Sequence, residues 1–283
     1  FDASNVPEDA LLVIYSAAYD PSSHPELVEA SRLGIPVLVY TKALGALSET
    51  SFAVGVAGVH GKTTTTAMIG TLCRELRLPA YVLVGSAVST FGNRSTYVGG
   101  NSCFVAETCE YRRHFLSFSP DAVVITTVDA DHLDYYRDAE DVKKAFVEYG
   151  SLLPRGGTVI YCADDPGAVE VAGRLQSIRG DVRTVPYGFS AGGAYRIKDY
   201  SMAPGEHRFS LGESNEILRV RIPGRHSVQN AAAAVAVADL LWAREAGPDA
   251  QAAPGGNPMG RGERGSAIRR GLESFGGSKR RSE

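Results

Sequence analysis

The stretch that most limits what this chain can fold into is Gly58-Val59-His60-Gly61-Lys62-Thr63-Thr64. It follows the apolar run FAVGVA at 52–57 and opens a helical pattern over 62–77. A glycine turn between a buried strand and a helix N-terminus aims backbone N–H groups at a phosphate, and the helix dipole favours negative charge there. In such a loop Lys62 is expected to meet β- and γ-phosphates, and the Thr63 hydroxyl to ligate Mg2+. Gly58, Val59, His60, Gly61 and Thr64 complete the expected nucleotide cradle. The eight-residue consensus would place its first glycine at 56, where Val56 stands, so only the shorter G-x-x-G-K-T form is met. Threonine is a poor helix former, and four in a row at 63–66 imply work for hydroxyls at the helix start.

The surrounding pattern agrees with that loop. Strands are expected near 80–84, 102–107, 121–126, 157–162 and 181–186, with helices near 138–153 and 165–178. Strands alternating with helices imply an α/β fold, a mostly parallel sheet with helices on both faces. Upstream, LLVIYSAA (11–18) reads as a buried strand, 24–34 as a helix and 35–40 as a second strand, with a change of unit at Thr50-Ser51. Residues 193–222 turn strand-rich and suggest an antiparallel edge or a small appended sheet. An Ala-rich helix over 226–242, a Gly/Pro-rich loop over 245–265 and a short helix at 266–274 close the pattern.

Composition narrows the class. The chain is 44% hydrophobic and 22% charged, which is globular, and 29 basic against 32 acidic residues give a net charge of −3. That leaves no basic footprint for nucleic acid, and no apolar run reaches the roughly 18 residues of a membrane span. Cys73, Cys103, Cys109 and Cys162 form no C-x-x-C pair, so reduced thiols in a cytoplasmic protein are expected rather than zinc or disulfides.

Ligands of open α/β sheets sit beyond the carboxyl ends of the strands. Glu107 ends the run SCFVAE and can hold a metal beside a phosphate, with Glu110 a second carboxylate close by. Asp129-Ala130-Asp131-His132-Leu133-Asp134 follows DAVVITT at another strand end and brings His132 to the same side. His114 reads as structural and Arg112-Arg113 as a solvated face. At the start of the Ala-rich helix His226 and Asn230 lie four residues apart on one face, and an amide there offers donor and acceptor to an adenine edge.

Taken together, AGVHGKTTTTAMI (57–69), FVAETCEYRRHFL (104–116), TTVDADHLDYY (126–136), IPGRHSVQNAAAAVAVA (222–238) and LESFGGSKRR (272–281) resemble the Mur ligases, ATP-dependent enzymes of peptidoglycan synthesis. Val59 stands where that family usually has Thr, and Ser227 where it has Asn. The resemblance implies a P-loop central domain at 49–270, part of a UDP-binding Rossmann-like domain at 1–48, and a linker at 271–283. It implies ATP and Mg2+ as cofactors, with Lys62, Glu107 and His132 catalytic, one Mg2+ held by Thr63 and Glu107 and a second by Glu107 with His132. His226, Asn230 and Arg281 join the phosphate loop as nucleotide-binding residues. The segments run nearest to the branch that takes UDP-N-acetylmuramate and L-alanine as substrates. A tripeptide-adding ligase of cell-wall recycling and a non-catalytic nucleotide-binding module are the alternatives. The family's opening Gly-rich turn and its third domain have no counterpart in these residues, so a fragment inactive by itself is expected.

Overall fold

The computed structural model describes residues 1–246 and 261–277. Its first unit runs β1 (Val13–Tyr15), α1 (Pro25–Arg32), β2 (Val37–Val39) and α2 (Tyr40–Ser48), with β1 and β2 paired in parallel. The strand expected over 11–18 shortens to three residues and is not buried. Leu11 is 90% exposed and Ile14 52%. A two-stranded sheet has no second layer over that face, so apolar content alone does not bury it. Helix α2 was not expected. It follows β2 directly, with Val39 as an N-cap that makes no side-chain bond, so no polar residue marks the boundary.

The main body is a seven-stranded sheet. Its strands are β3 (Phe52–Ala57), β4 (Ala80–Val88), β5 (Arg94–Val98), β6 (Cys103–Glu107), β7 (Ala122–Ile125), β8 (Thr158–Cys162) and β9 (Arg183–Tyr187). The order is β5-β4-β6-β3-β7-β8-β9, parallel throughout except for the antiparallel edge strand β5. β5 reads RSTYV and is mostly exposed, so it carries no apolar alternation that would have announced it. The central strand β3 is flanked by β6 and β7, and Val54 and Val56 of β3, Val105 of β6 and Val124 of β7 are fully buried. Helices α3 (Lys62–Glu75), α4 (Ala139–Ser151) and α5 (Pro166–Ile178) make the crossovers. Asp138 and Asp165 cap α4 and α5 by accepting from Asp141 N–H and Ala168 N–H.

The strand-rich stretch forms its own three-stranded antiparallel sheet, β10 (Ile197–Ala203), β11 (Glu206–Leu211) and β12 (Leu218–Val220). Helix α6 (His226–Ala246) then packs against α3. Ala231 to Ala234 are all fully buried, and their small side chains let the two helices approach closely. Helix α7 (Arg261–Ser274) also lies on α3 and runs unbroken through 270, with Leu272 and Phe275 in the core. It starts earlier than the 266 expected. The middle of the 245–265 stretch lies outside the described residues.

All four cysteines are free, and Cys73 is fully buried. No helix among the described residues is long and apolar enough to cross a membrane.

Candidate nucleotide and metal site

The carboxyl edge of the main sheet gathers the chemistry. The β3–α3 loop turns through Gly58 (φ +137°) and Gly61 (φ +86°), backbone conformations that side-chain-bearing residues rarely adopt. The loop is zipped to the end of β7. Val59 N–H donates to the Thr127 carbonyl (3.0 Å), His60 N–H to Thr127 Oγ1 (2.9 Å), and Thr126 Oγ1 to the His60 carbonyl (2.5 Å). His60 is held by its backbone while its side chain is exposed. Thr126 and Thr127 were missed in the sequence; their only signal was a pair of hydroxyls at the end of a strand.

Lys62 opens α3, and all three of its donors are engaged. Nζ donates to the Gly58 carbonyl (2.5 Å) and to both carboxylate oxygens of Glu110 (3.0 Å each). Glu110 is 2% exposed. Burying a carboxylate is costly unless it is paired, and Lys62 provides the pair. The next hydroxyl, Thr63 Oγ1, donates to Glu107 Oε2 (2.9 Å), while Glu107 Oε1 accepts from Gly85 N–H (2.5 Å). The remaining threonines divide their tasks. Thr66 bonds back to the Lys62 carbonyl, Thr64 is half-buried, and Thr65 is buried in the helix. Of the four hydroxyls, the one at 63 faces the strand-end carboxylate.

His132 lies in a turn at φ +54°, with its own carbonyl accepting from Tyr135 and Tyr136 N–H. Its Nε2 stands 3.6 Å from Glu110 Oε1 and 3.9 Å from Asp131 Oδ2. The structure therefore brings His132 to Glu110, where the resemblance paired it with Glu107. The two loops that carry these residues are fastened together. Tyr111 Oη donates to Asp134 (2.8 Å), Tyr136 Oη donates to the Glu110 carbonyl, and the Tyr111 ring packs on His132 with centroids 4.7 Å apart. Burial, chiefly, pushes the Tyr136 phenol up to about 12, so it stays a donor. Both tyrosines were missed, because an aromatic in a loop gives no sign of its partner.

Among the described residues, no group of three His, Cys, Asp or Glu side chains could by itself hold a metal ion. The Thr63–Glu107 pair nevertheless suits Mg2+. It offers hard oxygen donors beside a phosphate loop, and Mg2+ is usually held by one or two carboxylates plus phosphate oxygens rather than by an all-protein cage.

On the other side of the loop, Asn230 is 5% exposed and packs against Gly61, where a Cβ would stand 2.8 Å from Asn230 Oδ1. His226, one turn earlier, is exposed and folds over Gly224. Between them Gln229 Nε2 donates to Asp164 Oδ2 (2.7 Å) at the end of β8. The neighbouring Arg225 guanidinium lies over the Phe189 ring at 3.9 Å. Arg281 lies outside the described residues.

The Arg112-Arg113 pair needs a correction. Arg112 is exposed, its guanidinium over the Tyr111 ring at 5.4 Å, but Arg113 is half-buried and pinned to Asp141 (3.3 Å) and Glu148 of α4. Both residues have positive φ, which turns the chain back and separates the two side chains. His114 is half-buried, and burial, with Arg112 nearby, lowers its pKa. It borders a cavity of about 110 Å³ with Tyr40, Thr41 and Leu44 of α2 and with Glu107 and Cys109. That cavity links the first unit to the candidate metal residue. Ser119 N–H donates to Ser48 Oγ (2.9 Å) and fixes α2 in place.

A lysine–threonine phosphate loop at the carboxyl end of the central strand of a parallel sheet defines a P-loop nucleotide-binding domain. Residues 56–238 match the Mur ligase middle domain, and the chain belongs to the Mur ligase family. It is 44% identical over all 283 residues to the UDP-N-acetylmuramate–L-alanine ligase of Treponema pallidum (strain Nichols), covering 56% of that protein. It is 38% identical over 231 residues to the enzyme of the same name from Borreliella afzelii, covering 81% of this chain and 48% of that one. Among solved structures, the UDP-N-acetylmuramate-alanine ligase of Thermotoga maritima aligns over 99% of this chain and 58% of its own, with a TM-score of 0.70 at 26% identity. The chain thus spans about half the length of the curated relatives it matches.

Proposed function

We propose that this chain is the nucleotide-binding part of an ATP-dependent ligase that joins L-alanine to the carboxylate of UDP-N-acetylmuramate. The observation that carries the reading is the end-to-end likeness, at 44% identity, to a protein of that name, in a chain that retains the lysine, threonine, glutamate and histidine of the site. In this reading residues 1–48 belong to the UDP-binding domain, 49–270 form the ATP-binding domain, and the linker to a further domain follows, with the last turn of α7 still packed on the core. As a consumer of ATP and a nucleotide sugar, the enzyme works in the cytoplasm.

The chemistry asks the protein mainly for positioning and charge neutralisation. ATP phosphorylates the substrate carboxylate, and the amino group then displaces phosphate from the acyl phosphate. The backbone N–H groups of 61–63 at the start of α3 and the helix dipole hold the triphosphate, while the Val59 and His60 N–H groups stay tied to Thr127. Lys62 turns its ammonium to the γ-phosphate and stabilises the charge spread over it during transfer. Thr63 and Glu107 would hold Mg2+, which neutralises phosphate charge when bound. His132 flanks the same corner through Glu110. Asn230, against Gly61, borders the loop where the nucleotide enters, with His226 on the exposed turn before it. The cavity beside Glu107 sets the candidate metal residue next to α2 of the first unit.

The test is turnover by the full-length protein with ATP, Mg2+, UDP-N-acetylmuramate and a panel of amino acids and the recycled tripeptide, read by phosphate release and product mass. A product heavier by one alanine residue is expected. Coupling of tripeptide instead would move the enzyme to the recycling branch. ATP hydrolysis that ignores the acid substrate, or no turnover at all, would remove the ligase reading.

A further inference from the structure

We infer that Glu110 is a positioning residue that restrains Lys62 before nucleotide arrives and sets Lys62 and His132 in register for transfer; this rests on the ligase reading above. Its carboxylate accepts two of the three Lys62 donors at 3.0 Å and stands 3.6 Å from His132 Nε2. It does so from within the protein, at 2% exposure. Its backbone is gripped from both loops, its carbonyl accepting from Tyr136 Oη and from Arg113 N–H (2.9 Å).

The charge is the key to the role. A carboxylate at the mouth of a phosphate loop repels the triphosphate, so it does not serve nucleotide binding. Nor is a buried ion pair a good device for stability alone, because its desolvation cost rivals its attraction. What it does is hold a flexible four-carbon ammonium in one place. With the Gly58 carbonyl taking the third donor, Lys62 has no donor free for phosphate until it gives one up. The γ-phosphate therefore competes with Glu110 for Lys62. Binding is weaker than the loop could give, and in return the ammonium starts from a defined position.

Two substitutions separate charge from reach. Glu110→Gln keeps the size and an acceptor oxygen but removes the charge. In the full-length protein it is expected to bind ATP at least threefold more tightly by calorimetry, with a lower KM for ATP and at least a tenfold lower kcat. Glu110→Asp keeps the charge and retracts it by one methylene. Its ATP affinity is expected to stay within twofold of wild type while kcat falls at least tenfold. A merely structural glutamate would not tighten nucleotide binding while slowing turnover. ATP affinity that is unchanged or weaker in Glu110→Gln, or a kcat near wild type in Glu110→Asp, overturns the inference. If Glu110→Gln does not fold, as read by circular dichroism, the Glu110→Asp result decides alone. Wild-type protein that binds no ATP would overturn the nucleotide reading and this inference with it, whereas wild-type binding with indifferent variants overturns only the role of Glu110.

Discussion

Gly61 and Asn230 stand face to face across the phosphate loop, so near that a methyl group on Gly61 would sit 2.8 Å from Asn230 Oδ1. Gly61 also has φ +86° as the N-cap of α3. The Ala-rich helix α6 therefore shapes the loop from behind while α3 begins from its front. Gly61→Ala is expected to lose stability twice over. The left-handed backbone costs an L-residue about 1–2 kcal/mol, and the contact with a 5%-exposed amide adds to it. Urea unfolding of wild type, Gly61→Ala and Gly61→Ala with Asn230→Ala would divide the two. The double variant should recover the clash and keep the backbone cost. No loss in Gly61→Ala would mean that the loop adopts another shape.

Lys62→Ala should abolish turnover in the full-length protein. Removing the group that neutralises the transferred phosphate costs several kcal/mol of transition-state stabilisation, on the order of a hundredfold to a thousandfold or more in rate. It should also cost stability, because Glu110 would be left as a buried carboxylate without its cation. Lys62 is itself 18% exposed, so water can partly replace it. The loss should fall near the lower end of the roughly 3–5 kcal/mol seen on breaking buried pairs. Activity close to wild type would sink the assignment of the loop. An unchanged urea midpoint would show that water compensates Glu110 fully.

Glu107→Ala should raise the Mg2+ concentration needed for half-maximal activity by at least tenfold, and Thr63→Val should raise it by less. The ordering follows from charge, since the carboxylate contributes a full negative charge to a hard cation and the hydroxyl a dipole. Glu107 also accepts the Gly85 N–H, so its loss loosens the end of β4. A Mg2+ titration on each variant, with thermal melting as the control for folding, checks this. Superimposable titrations would take Glu107 out of the metal site.

Much of this site was legible because each piece lies at a strand end that the apolar pattern marks. FAVGVA, SCFVAE and DAVVIT are short, bounded and β-rich, and each ends at or just before a residue that carries the chemistry. What lay beyond reading were the links between pieces. Glu110 meets Lys62 across 48 residues of sequence, and just beyond it Arg112 and Arg113 take left-handed conformations. No local preference of arginine announces that. Arg113 looked solvated for the same reason, its partners Asp141 and Glu148 being about 30 residues away in sequence. The unread elements share a physical cause as well. α2 starts without a cap and β5 has no buried face, so both are formed by the sheet and loops they meet rather than by their own sequence.

The end of β8 offers a pH test. Asp164 is partly buried, which by itself raises its pKa. Hydrogen bonds from Gln229 Nε2 (2.7 Å), Phe189 N–H (2.8 Å) and Ser190 N–H (2.7 Å) outweigh that and hold the carboxyl below its ordinary value of 3.8. The folded state thus binds the Asp164 proton less readily than the unfolded state. The stabilisation is complete above about pH 4 and is lost as pH falls through the folded pKa. Asp164→Asn, which keeps one acceptor oxygen but loses the charge, should be less stable at pH 7 by about 1.5–3 kcal/mol, the range for hydrogen bonds to a charged group. The gap from wild type should stay level between pH 7 and pH 5 and shrink below pH 4. Urea midpoints of both proteins across that range make the comparison. A gap as wide at pH 3 as at pH 7 would mean that the shape of the side chain, not its charge, ties β8 to α6.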